Sequence, residues 1–270
     1  MAQELIDISG NKNSEGVGLK IEPNNIYLGD CLDLMKYIPD KSIDMILCDL
    51  PYGKTKLKWD SIIPLEPLWE QYKRIIKDNG AIVLTARQPF TSMLITSNKK
   101  MFRQTWVWDK VIGVNFMNAK KMHTQGFEDI CVFYRKLPTY NPQMEEGAPF
   151  KDSRKTKHRT KTEALGSRAK YTPQDNIGTR YPKGIIRFSA RNNKPLHPTQ
   201  KPVALLEYLI KTYTNEYDTV LDNCMGSGST IVACINTNRK YIGIEKELKY
   251  FEIAKKRIES VTAVQTALEV

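Results

Sequence analysis

Three short stretches carry residue types that could do chemistry together. The first is Asp49-Leu50-Pro51-Tyr52-Gly53, which puts a carboxylate, a rigid proline and an aromatic ring in one run. A strand-ending turn would use the same Asp, Pro and Gly. The run, however, follows a continuous apolar segment, Asp44 to Cys48, of the kind that forms a strand buried on both faces. Carboxyl ends of parallel strands are where open α/β sheets place their sites. A flat substrate stacking on Tyr52 would find its amino group beside acceptors on Asp49 and the adjacent carbonyls.

The second stretch, Val220 to Thr230, reads as a strand running into the turn Gly226-Ser227-Gly228 and then a helix. Glycines let backbone approach a ligand closely, and a helix N-terminus offers free N–H groups. Nineteen residues after Gly226 comes Glu245, again at a strand end, at a spacing suited to ribose hydroxyls. The pattern is not the dinucleotide fingerprint, because Thr230 and Ile231 stand where a third glycine is needed. Nor is it a P-loop, since no lysine follows the glycines. The third stretch is His197-Pro198-Thr199-Gln200-Lys201-Pro202, leading into a helix whose Pro202 suits a first-turn position. No partner that would make His197 a general base is visible.

The elements that must position these stretches alternate. Strands are expected at Ile26–Asp30, Asp44–Asp49, Ala81–Thr85, Gln104–Trp108, Ile130–Tyr134, Thr219–Asp222 and Lys240–Glu245. Helices are expected from Leu32 to Ile38, Leu68 to Ile76, Val203 to Tyr213, Ser229 to Ile235 and Tyr250 to Ile258. Asp78-Asn79-Gly80 reads as the stop after the second of these. Such alternation implies a doubly wound, mostly parallel α/β sheet. Its parts are a loose arm (1–22), a catalytic half (23–136), an irregular insert (137–196), a cofactor half (197–260) and a tail (261–270). An insert of about 60 residues far exceeds ordinary connections and points to function.

Charge singles out the same insert. The 270 residues hold 41 Lys+Arg against 30 Asp+Glu, a net +11. Between Lys151 and Lys194 stand thirteen basic and three acidic residues, so ten of those eleven charges lie in 44 residues. Charge runs are usually solvated surface, but a polyanion is the natural partner of one this dense. Hydrophobic content of 41% argues against wholesale disorder. No apolar run is long enough to span a bilayer and the N-terminus lacks a signal-peptide core, so a cytosolic chain with no membrane partner is expected. Five cysteines without C-x-x-C spacing, and three scattered histidines, offer no disulfide framework or metal site.

Together the three stretches and the insert resemble the amino-group DNA methyltransferases that use S-adenosylmethionine, in the permuted (β) group whose catalytic motif precedes the cofactor motif. That family carries D/S/N-P-P-Y/F/W, a target-recognition region, H-P-x-x-K-P and D-P-F-x-G-S-G-T-T in this order. The likeness covers roughly residues 25–136 and 195–260. Leu50 replaces the first proline, Asn223-Cys224 replaces Pro-Phe, and Ser229 replaces a threonine.

The resemblance implies a Rossmann-like methyltransferase fold and S-adenosylmethionine as cofactor, with no metal. Asp49 and the Pro51 carbonyl would accept hydrogen bonds from the amine while Tyr52 stacks on a flipped base. Asp222, Met225, Gly226, Ser227, Gly228 and Ser229 would line the methionine end, with Thr199 and Lys201 nearby. Glu245 would hold the ribose and Asp30 would help seat the adenine. Adenine N6 is the favoured target, because Asp at the first catalytic position is the adenine-type choice and Ser the cytosine-N4 one. The resemblance also implies double-stranded DNA as partner, and a prokaryotic or phage-encoded enzyme working in the host cytoplasm as a monomer or homodimer. A restriction-endonuclease partner is left open. So are cytosine N4, RNA or a protein glutamine as target, and a decayed nucleic-acid-binding protein in which Leu50 marks lost activity. C5-cytosine chemistry is disfavoured, since none of the cysteines follows a proline.

Lys151, Arg154, Lys155, Lys157, Arg159, Lys161, Arg168, Lys170 and Arg180 are the expected DNA contacts in the insert. If about five of them meet phosphates, log K against log salt should have a slope near −4.5. A titration of DNA binding against salt checks this, and a salt-independent affinity would return the segment to solvated surface.

Overall fold

The computed structural model describes residues 20–53, 61–153, 174–191 and 200–268. Arg154, Lys155, Lys157, Arg159, Lys161, Arg168, Lys170, His197, Thr199 and most of the N-terminal arm lie outside them. The chain forms two compact units, one comprising residues up to Asn141 and from Gly184 onward, the other Pro142–Lys183.

In the larger unit the elements follow in order. They are β1 (Asn25–Leu28), α1 (Cys31–Leu34), β2 (Ile43–Asp49), α2 (Leu65–Ile75), β3 (Ile76–Ala86), α3 (Phe90–Ser97), β4 (Phe102–Val114) and β5 (Gln125–Phe133). The small unit holds β6 (Glu145–Glu146) and β7 (Thr179–Arg180), an antiparallel pair. The larger unit then resumes with β8 (Ile185–Arg187), α4 (Val203–Tyr213), β9 (Thr219–Asp222), α5 (Ser229–Asn236), β10 (Lys240–Glu245) and α6 (Leu248–Leu268).

Eight strands make one sheet in the order β1-β10-β9-β2-β3-β5-β4-β8. From β1 to β3 the neighbours are parallel, whereas β5 runs antiparallel to both β3 and β4. Strand direction explains the patterns: successive residues of β2 face opposite sides. Ile46 and Cys48 join one core with Leu68, Trp69 and Tyr72 of α2, and Met45 and Leu47 join the other with Leu205 and Leu209 of α4. Both faces are covered, which is why these strands read as continuous apolar runs.

The sheet reverses its strand order between β9 and β2, where Met45 pairs with Val220 and Ile46 with Leu221. Asp44 secures this seam, accepting from Lys77 Nζ at 2.6 Å and from the Thr219 N–H at 3.0 Å. A crevice opens beyond the carboxyl ends at such a reversal, and there β2 ends in Asp49 and β9 in Asp222.

Three expectations are corrected. Asp78-Asn79-Gly80 lies inside β3, where the pairing jumps from Ile43↔Ile76 to Met45↔Ala81, so the turn residues form a bulge after a helix already ended at Ile75. Residues 184–191, read as part of the insert, contribute β8 beside β4 through Trp108↔Ile186. The last helix continues to Leu268 in place of a tail. Among the described residues no helix is long and apolar enough to cross a membrane.

Gly243, mid-β10, leaves space that the loop after β9 fills. A Cβ there would stand 2.5 Å from Met225 Sδ and 2.9 Å from Ile26 Cγ2. Gly243→Ala should therefore destabilise the protein by about 1–3 kcal/mol, read from the shift of its urea unfolding midpoint.

Candidate active site

The crevice is a cavity of about 530 Å³, within the range of small-ligand sites. Residues at or near the carboxyl ends of the five parallel strands meet there: Asp30 after β1, Asp49 to Tyr52 after β2, Thr85 in β3, Asp222 to Ser227 after β9, and Glu245 of β10.

Asp49 is surrounded by donors. Tyr52 Oη donates to its Oδ1 at 2.5 Å, the Thr85 hydroxyl donates to the same oxygen, and Lys201 Nζ donates to Oδ2. The Tyr52 ring lies 5.3 Å from that of Phe90, which sets its plane. Burial, with the Asp49 charge beside it, holds the Tyr52 hydroxyl well above the usual phenol range. Leu50 is buried in the core, so the position that departs from proline is fixed by packing.

Lys201 was expected near the methionine end. It lines the cavity, but its ammonium is engaged by Asp49 and stands 3.4 Å from Glu128 Oε2. Burial would lower this ammonium; the two carboxylates outweigh burial and leave it raised. Glu128 pairs through its other oxygen with Lys110, whose Nζ also lies 5.0 Å from the Trp108 ring centre. The sequence reading missed Thr85, Trp108, Lys110 and Glu128. One signal was available: Trp106, Trp108 and Lys110 occupy successive buried positions of β4, so a lysine stands in core phase.

At the other end, Asp222 is buried and accepts from the Cys224 N–H at 3.1 Å. Asn223 replaces a proline at no loss of partners, because Tyr72 Oη of α2 donates to its Oδ1 at 2.6 Å. Glu245 accepts from the N–H groups of Gly226, Lys246 and Glu247 at 2.8, 2.9 and 2.8 Å, which ties the glycine turn to the start of α6. Burial raises the Glu245 carboxyl and those three N–H groups oppose the rise. Asp30 caps α1 at the Leu32 N–H, 2.9 Å away, and pairs with Lys246 at 3.1 Å.

Met225, Gly226, Ser227 and Ser229 line the cavity as expected positions. Gly228 does not. With φ of 77° it turns the chain into α5, and a Cβ on it would stand 3.1 Å from the Cβ of Ala254 in α6, so it serves helix packing. In the small unit Lys151 is exposed. Arg180, expected to meet DNA, is occupied within that unit, donating to Asn176, Thr179 and Ala148 and lying 5.0 Å over the Phe150 ring.

The donors and acceptors fit S-adenosylmethionine. Carboxylates at both ends suit hydroxyls and positive charge, and the turn between them leads into a helix N-terminus. Residues 43–256 match the N6/N4 DNA methylase family. The chain belongs to that family. The type II methyltransferase M1.MboII of Moraxella bovis is 28% identical over 252 residues, spanning 85% of this chain and 94% of its own. The DNA adenine methyltransferase YhdJ of Escherichia coli K12 is 28% identical over 258 residues, spanning 88% and 83%. The crystal structure of the M1.HpyAVI–SAM complex superposes with a TM-score of 0.59 at 25% identity, covering 86% of this chain and 98% of that one. The methylase uses S-adenosylmethionine and transfers its methyl group to an exocyclic amine of a DNA base.

Burial pushes the Asp222 carboxyl up to about 6, against the Thr230 and Cys224 hydrogen bonds that favour its charged form. Its folded pKa exceeds its unfolded one, so between about pH 4 and 6 the native state binds more protons. Stability from this group is therefore present at low pH and lost as pH rises through that window. Asp222→Asn removes the titration. The variant's stability relative to wild type should improve from pH 4 to 7 by on the order of 3 kcal/mol, measured by urea unfolding at each pH.

Proposed function

We propose that the methylase acts on adenine N6 in double-stranded DNA, with Asp49, Pro51 and Tyr52 meeting the base. The observation that carries this reading is the Asp49 carboxylate at the carboxyl end of β2, lining the same cavity as Tyr52 and the glycine turn. Aspartate is the adenine-type residue at this position of the resembling family, and the relative YhdJ is named an adenine methyltransferase.

An exocyclic amine on an aromatic base is a poor nucleophile because its lone pair is delocalised into the ring. Two acceptors aimed at its hydrogens favour a pyramidal nitrogen and return the lone pair to it. Asp49 and the Pro51 carbonyl supply those acceptors, and Tyr52 stacks on the ring. S-adenosylmethionine, when bound, supplies a methyl group on a positively charged sulfur. Asp49 is then the basic acceptor in contact with the amine for the proton that the nitrogen sheds. Lys201 bridges Asp49 and Glu128, so its charge stays compensated by Glu128 while the amine engages Asp49.

Asp222, Met225, Gly226, Ser227 and Ser229 hold the methionine end in this reading, Glu245 the ribose, and Asp30 the adenine side. The amine of a paired base is out of reach, so the base leaves the stack, at a cost of a few kcal/mol. Target recognition is assigned to the basic insert, whose charge density supports it. Similarity to type II methyltransferases supports a restriction-endonuclease partner that reads the same sequence.

Unmethylated DNA treated with the enzyme and methyl-labelled cofactor should yield label in N6-methyladenine after nucleoside digestion. Label confined to N4-methylcytosine would overturn the base assignment. Asp49→Ala should lower kcat by about 10²–10³-fold while cofactor affinity, measured by calorimetry, stays near wild type.

A further inference from the structure

The hairpin joining β4 to β5 presents apolar side chains that the chain itself leaves uncovered. Met117 is 99% exposed, Phe116 67% and Met122 58%. The tip is nonetheless ordered by its own hydrogen bonds. Asn118 Nδ2 donates to Asn115 Oδ1 at 2.9 Å, and the N–H groups of Lys121 and Met122 reach Asn118 O at 2.8 and 3.0 Å. Asn115 takes a φ of 71° to enter the turn. A tip held by its own hydrogen bonds that keeps Phe116 and Met117 in water points to a partner.

Its placement and charge say which. Val114, two residues before Phe116, lines the active-site cavity, as do Lys110 and Glu128 lower on the same two strands. The tip thus stands at the cavity rim, where the DNA must arrive. Lys120 and Lys121 are exposed beside it, and no acidic residue occurs from Val111 to Gln125. Phe and Met are side chains that proteins insert between base steps, and a base that leaves the stack leaves room for one.

We propose that Phe116 and Met117 form a wedge that enters the duplex beside the target and occupies the space its base vacates. Lys120 and Lys121 contact the flanking phosphates. The proposal rests on the DNA-methyltransferase activity and holds whichever base is methylated.

The test uses the full chain carrying Phe116→Ala and Met117→Ala. Total methyl transfer is measured on an oligonucleotide duplex bearing a site mapped by sequencing of modified bases, and on the same duplex with an abasic position opposite the target. An unpaired target needs less help to leave the stack. kcat/KM should fall about tenfold or more on the paired duplex and less than about threefold on the abasic one. Retained activity on the second substrate shows that the variant folds. An equal fall on both duplexes, or none on either, would overturn the wedge. So would a change in mass by light scattering with the ratio between substrates unaltered, which would make the tip a self-association surface. Replacing Lys120 and Lys121 by Ala should flatten the salt dependence of binding by about 0.9 per lost phosphate contact; an unchanged slope would remove the phosphate contacts from the proposal.

Discussion

Four charges meet in one crevice, Lys110, Glu128 and Lys201 buried and Asp49 partly so, and they tie the sheet to the crevice. Lys110, Glu128, Lys201 and Asp49 alternate in sign, and each is engaged by the next. Taking charges out of water is costly, and removing one partner of such a set leaves another uncompensated, at about 3–5 kcal/mol. The four come from β4, β5, the approach to α4 and the end of β2. Only one arrangement of the sheet brings them together, so an alternative register would strand a charge in an apolar core. The same pairing directs the Asp49 carboxylate: Tyr52 and Thr85 fix one oxygen and Lys201 reaches the other.

Much of this was legible where local sequence decides the structure. The apolar runs ending in Asp49, Asp222 and Glu245 read as strands with acids at their carboxyl ends, and α4 spans Val203–Tyr213 as its periodicity indicates. Local signals misled where one residue pattern serves two structures. Asp78-Asn79-Gly80 suits a helix stop and a bulge equally well, and the pairing with β2 settles which. The C-terminal helix continues past Ile258, where Val261 packs against the core and Gln265 Nε2 donates to the Ile235 carbonyl. The remainder is tertiary. Nothing local announces that Asn223 receives a hydrogen bond from Tyr72, 151 residues away, or that Glu128 faces two lysines on other elements. The lysine in core phase on β4 was the one local sign of the charge cluster.

The segments proposed to act on the base and to hold the cofactor are distant in sequence and adjacent in space, joined at the β2–β9 seam. Asp44 holds β9 and the β3 bulge from a single carboxylate, so the two halves are aligned from beneath the crevice. Chemistry is thereby built on strand ends, with loops supplying the side chains that approach from outside. The buried Tyr72–Asn223 bond adds a strut from α2 to the loop that follows β9.

The small unit enters and leaves the larger one at two pinned points. Asn141 donates from its backbone to Thr212 O at 2.8 Å and from its side chain to Thr214 O at 3.0 Å, and Gly184 O accepts from the Val107 N–H at 2.8 Å. Whatever lies between these moorings can change in length and composition at little thermodynamic cost, since doubling a flexible loop adds only about 0.6 kcal/mol of closure entropy. With target recognition assigned to this segment as proposed, sequence preference and catalytic competence are heritable separately. On that assignment, exchanging the segment from Pro142 to Lys183 for another would change the DNA target while every residue lining the crevice stays as it is.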